Sequence, residues 1–329
     1  MSNKLEICGI GNGLIDLQYE VSDNDLKQLN LKKSQMKIVS ESEQKELLDY
    51  LKKKPCHISS GGSAANSLIA FSKFGGKAGY KTVLGKDEFG DFYAKEFEEL
   101  GIELSADFID EYPTGTCVVL ITPDSERTMM TCLGATGQFN VNHIDENLIK
   151  KSQILYTEGY KLSSEKSAEA LIKSVEIAKK NDVKVAVTFS DIFITENFRK
   201  NLELVVKNSD FVFCNEQEAI SFTSTTNDDQ AVDELRKIVP NFAITLGSKG
   251  SIIYWNKEII KIPAIEVKAI DTTGAGDMFA AGILYGIAKG LSMEKAGRLA
   301  SYSAGKVVSQ FGARLKEDHL IIKNQIINE

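Results

Sequence analysis

The chain has 329 residues, a formal net charge of -7, 43% hydrophobic and 26% charged residues. That size and balance fit a globular protein, and the acidic excess argues against a nucleic-acid partner, because phosphate backbones select basic faces. No apolar run is long enough to span a bilayer, and Met1-Ser2-Asn3-Lys4 leads straight into a strand-like segment without a signal-peptide core, so no membrane partner is expected.

In chain order, β-branched and aromatic runs predict strands at Glu6–Ile10, Gly79–Leu84, Cys117–Thr122, Gln153–Thr157, Lys184–Phe189, Phe211–Cys214 and Phe242–Leu246. Between them apolar residues recur at three- and four-residue spacing. Leu171, Val175 and Ala178 form one such face, and helices are predicted at Ala64–Phe74 and Met278–Ala288. Strands that alternate with helices and are apolar almost throughout imply a mainly parallel sheet covered on both faces, an α/β fold. Two stretches break the pattern. Residues 14–40 alternate like edge strands (Leu17, Tyr19, Val21, then Met36, Ile38), and residues 112–135 read as a hairpin around Pro123-Asp124. Neither is expected to be followed by a crossover helix. Together they predict one small, discontinuous β lid on a single domain spanning 1–329. Such a lid would exclude water from a reaction, and its edges could pair two copies into a homodimer.

The five cysteines (8, 56, 117, 132 and 214) have no metal-ligand spacing and are expected to be reduced thiols in a cytoplasmic protein. His57, His143 and His319 stand alone, which leaves little from which to build a zinc site or a Ser-His-Asp triad.

The strongest local signal is Asp271-Thr272-Thr273-Gly274-Ala275-Gly276-Asp277 at the start of an apolar helix. Glycines there allow close backbone approach, and successive N–H groups at a helix start form an anion site. A carboxylate directly after an anion site serves a different group. A phosphoryl group on the amides and a proton passing from an attacking hydroxyl to Asp277 would account for both. The alternative is a glycine turn with an ordinary capping Asp. A second constellation is Ser60-Gly61-Gly62-Ser63 ahead of a helix that carries Asn66 one turn in, where an amide can donate to and accept from a hydroxyl. A hinge before a capped core helix is the competing account. Asp16, behind Gly9-Ile10-Gly11-Asn12-Gly13, could accept from two neighbouring hydroxyls or form a turn. That glycine cluster is no dinucleotide fingerprint, since Leu14 stands where the third glycine should fall, and no Gly-x4-Gly-Lys-Ser/Thr loop occurs in the chain. Asn215 and Glu218, three apart at a helix start, could organise hydrated Mg²⁺ or form a capping box. Arg127 could reach a transferring phosphate or lie in solvent.

The Asp271–Asp277 string, with Gly61-Gly62-Ser63-Ala64-Ala65-Asn66-Ser67 and Asn215-Glu216-Gln217-Glu218-Ala219, resembles the ribokinase-like (PfkB-type) carbohydrate and nucleoside kinases, and within them the adenosine kinase branch. The resemblance covers essentially the whole chain. It implies a three-layer α/β/α fold, an ATP-dependent kinase acting on a primary hydroxyl, and a nucleoside 5′-OH as acceptor. A ribokinase- or fructokinase-like sugar kinase and a non-catalytic nucleotide sensor are the alternatives. By the same resemblance Asp277 is the base and Gly274, Ala275 and Gly276 hold the transferred phosphoryl group. Asp16, Gly61, Gly62 and Asn66 then meet the substrate, Thr245, Gly247 and Gly250 lie beside ATP, and Asn215 and Glu218 order Mg²⁺ through water. A monovalent cation, K⁺, is implied near Asp271 and Thr273. Adenosine kinases carry a phenylalanine-rich stretch where this chain has Glu158-Gly159-Tyr160-Lys161, so only Tyr160 is left there to face a base.

Overall fold

The structure, a computed structural model, describes residues 4–328. Its strands are β1 (Leu5–Ile10), β2 (Leu14–Glu20), β3 (Met36–Ile38), β4 (His57–Gly61), β5 (Ala78–Gly85), β6 (Glu103–Ile109), β7 (Gly115–Ile121), β8 (Arg127–Cys132), β9 (Ser152–Glu158), β10 (Lys184–Thr188), β11 (Phe211–Asn215), β12 (Phe242–Thr245), β13 (Ser251–Trp255) and β14 (Glu258–Ile262). Nine of them form one sheet in the order β14-β13-β12-β11-β10-β9-β1-β5-β6. Every pairing from β12 to β6 is parallel, and β13 and β14 close the other edge antiparallel.

Of the strands predicted from sequence, Cys117–Thr122 falls in the second sheet, and the others sit in this one because each has two faces to bury. Along β10, Val185 and Val187 pack into one core cluster and Ala186 into the other; along β9, Leu155 and Tyr156 divide the same way. Helices Ser63–Lys73, Ala275–Lys289 and Met293–Val308 cover one face, and helices Glu165–Lys180 and Arg199–Lys207 the other, giving three α/β/α layers.

The remaining strands form a second sheet, β3-β8-β7-β2-β4, with β3 and β4 at its edges. Strand alternation splits its side chains cleanly. Ile15, Leu17, Tyr19, Val118 and Leu120 join the main core with Leu47 and Leu51 of helix Glu41–Leu51. Leu14, Cys117, Val119 and Ile121 form a small apolar cluster on the opposite face. The sequence reading assigned no helix after 14–40, and here the structure differs. Helix Asp23–Gln28 follows β2, and helix Glu41–Leu51, opened by a reciprocal Ser40/Glu43 capping box, leads back to β4. Strand β4 escaped notice because His-Ile-Ser-Ser-Gly carries a single apolar residue and so has no hydrophobic period to read.

Candidate active site

Two helices point their N-termini at the space between the sheets, and both begin unusually. Helix Ser63–Lys73 starts at Gly62 with φ 102°, and helix Ala275–Lys289 at Gly274 with φ 75°; neither start has a capping side chain. Their first turns can therefore take an acceptor from outside the helix, as the Ala64 N–H takes the Glu158 carboxylate at 2.8 Å. Glycine is required at both positions. A Cβ on Gly62 would lie 2.1 Å from the Asn12 carbonyl oxygen, and one on Gly274 2.4 Å from that of Ala313. Gly276 differs, since a Cβ there would meet nothing within 4 Å.

Between these helix starts and the second sheet lies a cleft of about 310 Å³. It is lined by Asp16, Gly62, Ser63, Asn66, Arg127, Tyr160, Asn215, Glu218, Thr245, Thr273 and the Gly274–Asp277 turn. Residues as far apart in sequence as Asp16 and Asp277 thus meet in one place, because the carboxyl ends of the parallel strands open on the same side and the second sheet, which carries Asp16 and Arg127, lies across from them. Gly61, Gly247, Gly250 and Asp271 do not line it. Gly61 stands directly behind Asp16, where a Cβ would come within 2.3 Å of the carboxylate. Gly247 (φ 59°) and Gly250 (φ 96°) shape the turn between β12 and β13, and a Cβ on Gly250 would strike the Ile262 carbonyl oxygen at 2.1 Å.

Asp277 is the chemical centre of the cleft. Ser63 Oγ donates to its Oδ1 at 2.6 Å and Asn66 Nδ2 to its Oδ2 at 3.2 Å. Burial pushes its carboxyl above the usual range, opposed by those two hydrogen bonds and by the charge of Arg127. The Oδ1 of Asn66 is buried without a partner. Asp16 is buried on β2 and pushed up to about 7, first by burial, with the positive charge of Arg314 the main opposing influence. Arg127, on β8, donates from Nη1 to the Thr272 carbonyl at 3.4 Å and so touches the anion-site loop from the second sheet.

Asn215 and Glu218 form a complete capping box. The Asn215 N–H and Nδ2 donate to the Glu218 carboxylate at 3.0 and 2.8 Å, and the Glu218 N–H donates to Asn215 Oδ1 at 2.8 Å. Both also face the cleft, and burial pushes Glu218 up to about 7. The Asp271 carboxylate is fully buried. Its Oδ1 accepts from the Thr273 N–H at 2.8 Å and from Thr273 Oγ1 at 2.5 Å, and its Oδ2 from the Gly312 N–H at 2.8 Å. What this carboxylate does in the chain is hold the loop together. Among the described residues no group of three or more His, Cys, Asp or Glu is placed to hold a metal ion, and no helix is long and apolar enough to cross a membrane.

Sequence reasoning missed several groups at the site. Glu158, at the end of β9, is fully buried and accepts from the N–H groups of Asn12 and Ala64, both at 2.8 Å. It ties the turn after β1 to the start of helix Ser63–Lys73. Burial raises its carboxyl and lowers the amine of nearby Lys161, whose Nζ donates to Asn12 Oδ1 at 3.0 Å and the Thr136 carbonyl at 3.1 Å. The one available signal for Glu158 was its position just past a predicted strand, where parallel sheets place their functional residues. Tyr160 lines the cleft with its hydroxyl 3.4 Å from Asp191, and beside it the cleft is lined by the apolar Leu14, Met36, Ile38, Val119, Met129 and Leu133.

Comparison with known proteins agrees with this architecture. The chain is 27% identical to adenosine kinase from Saccharomyces cerevisiae over 92% of its own length and 94% of the relative's. It is 30% identical to 5-dehydro-2-deoxygluconokinase from Clostridium botulinum, over 82% and 84%. The crystal structure of adenosine kinase from Sinorhizobium meliloti superposes with a TM-score of 0.92 at 29% identity, covering 98% of this chain and 99% of that one. The family described as pfkB family carbohydrate kinase matches residues 39–320. The chain therefore belongs to the pfkB carbohydrate kinase family, phosphotransferases that act on an alcohol group of a sugar or nucleoside.

Proposed function

We propose that the chain transfers the γ-phosphoryl group of ATP to the 5′-hydroxyl of a nucleoside. The observation that carries this reading is the position of Asp277. It stands between the start of helix Ala275–Lys289, which no side chain caps, and the groups Asp16, Gly62 and Asn66 that would bind hydroxyls. In this reading Asp16 and Asn66 hold the ribose hydroxyls, the acceptor oxygen faces Asp277, and the carboxylate takes its proton as the phosphoryl group arrives on the amides. A carboxyl raised by burial suits that task, since a base near neutrality combines readiness with driving force. Arg127 would meet the transferring phosphate, and Thr245, with the Gly247–Gly250 turn behind it, would lie on the ATP side. The second sheet would act as a lid.

Asn215 and Glu218 offer magnesium a hard, oxygen-based anchor, reached through water because their direct contacts are already mutual. When bound, the ion would neutralise phosphate charge. The Asp271 carboxylate, near which the family resemblance implies a monovalent cation, is engaged by Thr273 and Gly312 and holds the loop together.

The apolar wall supports a nucleoside over a bare sugar. Burial contributes about 25 cal/mol per Å², so a base covering on the order of 100 Å² gains a few kcal/mol. After ordering costs, tenfold or more in kcat/KM is expected. A free-sugar acceptor is the second reading, supported by the 30% identity to 5-dehydro-2-deoxygluconokinase and the polar end of the cleft at Asn12 and Glu158. Adenosine, inosine, cytidine, ribose and hexoses presented with ATP, read by ADP release, decide between them. Ribose or a hexose turned over as well as the best nucleoside would overturn the proposal.

A further inference from the structure

The residues after helix Met293–Val308 form a loop that touches both halves of the site. On one side the Gly312 N–H donates to Asp271 Oδ2 at 2.8 Å, and Ala313 occupies the space a Cβ on Gly274 would need. On the other side Arg314 reaches β4. Its guanidinium pairs with Glu96 of helix Glu88–Glu99, donates to the Ser60 carbonyl, and donates to Ser60 Oγ at 2.6 Å. Ser60 immediately precedes Gly61, whose missing side chain is the space filled by the Asp16 carboxylate. The Arg314 Nε is buried without a partner, so the fork is not used up in structural bonds.

We propose that Arg314 is a positioning residue for the acceptor: it locks β4, and with it the Gly61 backbone behind Asp16, against the anion-site loop, and brings a positive charge to the carboxylate that receives two hydroxyls. The inference rests on the reading of Asp16 as the hydroxyl acceptor. The charge argument is specific. Burial drives Asp16 towards its neutral form, in which one oxygen becomes a donor and pairing with a diol is lost. The groups facing Asp16 are Arg314 from the loop, Asp277 from helix Ala275–Lys289, Arg127 from β8, Cys117 from β7 and Tyr93 from helix Glu88–Glu99. Only the two arginines favour the carboxylate, and Arg314 has the larger effect. Glu96 keeps Arg314 in place, at the same time fixing Ser60 by accepting from its N–H at 3.3 Å.

Losing Arg314 removes a positive charge near Asp16, so Asp16 must lose its proton at higher pH and the acid limb of kcat/KM must move upward. Arg314→Gln should raise KM for the acceptor about tenfold, leave KM for ATP within about threefold, and move that limb up by roughly one pH unit. Arg314→Gln also leaves the part-buried Glu96 without its ion-pair partner, held only by Ser60, which alone costs stability. The double variant Arg314→Gln/Glu96→Gln removes that penalty, and its limb should stay displaced while its melting temperature recovers. Arg314→Lys, which keeps the charge but not the fork, should leave the limb near its original place. An unshifted limb in the double variant, or equal losses toward acceptor and ATP, would show Arg314 to be structural only and overturn the proposal. Asp16→Asn, assayed in parallel, isolates the premise. If it binds acceptor normally, the reading of Asp16 fails whatever Arg314 does.

Discussion

Gly276→Ala tests whether this glycine is kept for catalysis rather than for the fold. Gly276 is the second residue of helix Ala275–Lys289, is exposed, and would place a Cβ in open space. For folding alone alanine is the better residue there, by about 0.5–1 kcal/mol. Spread over the unfolding entropy of a chain this long, that raises the melting temperature by about 1 °C. For phosphoryl transfer the same methyl group sits where the anion must approach the amides. Each backbone donor that the phosphoryl oxygens cannot reach costs about 10²–10³ in turnover. The variant should therefore be as stable as the parent or slightly more so, and slower by at least two orders of magnitude. Gly274→Ala is the control with the opposite stability sign, because at φ 75° it strains the backbone and drives a Cβ against the Ala313 carbonyl oxygen. Scanning calorimetry with ADP-release kinetics on both purified variants tests the argument. Parental kcat/KM in Gly276→Ala would refute the assignment of this turn to the transferred phosphoryl group.

Asp277→Asn should keep the fold and ATP binding while lowering kcat by roughly 10²–10⁴, the range of a positioned general base; near-parental turnover would remove the carboxylate from the mechanism. Glu218→Gln should raise the magnesium concentration needed for half-maximal rate while leaving thermal stability within about 1 kcal/mol, since the amide can still accept from the Asn215 N–H. A lower melting temperature with unchanged magnesium dependence would assign the pair to helix capping alone.

What could be read from the sequence was local. The Asp271–Asp277 string states its own geometry, because glycine spacing, an uncapped helix start and the following carboxylate all lie within seven residues. The parallel sheet was legible for a related reason: strands buried on two faces are apolar almost residue after residue, as β11 and β12 are. Strands with less to bury were not legible, and β4, β6 and β14 all have exposed or half-exposed positions through most of their length. Asp16, Gly62 and Asn66 could be singled out as residue types, yet nothing in their spacing places them opposite Asp277; that depends on the sheet order. Arg314 gave no signal at all. An arginine in a Gly-Ala-Arg-Leu loop is unremarkable until Ser60 and Glu96 are seen across from it.

The distribution of charge explains why so many of the missed residues are basic or buried. Asp16, Glu158, Glu218 and Asp277 surround one cleft that must also admit the phosphates of ATP. Burial raises all four carboxyls, and Asp277 adds a further upward push on Asp16, Glu158 and Glu218. A cleft left in that condition would hold protonated acids, poor both as hydroxyl acceptors and as bases. Each carboxyl is met by its own compensation. Glu158 has two amides and Lys161, Asp16 has Arg314 and Arg127, Asp277 has Ser63, Asn66 and Arg127, and Glu218 has the Asn215 amide and Arg127. Arg127 recurs in three of these and stands on the second sheet, so that sheet contributes a charge favouring the ionised form of Asp16, Asp277 and Glu218 together, against the larger effect of burial.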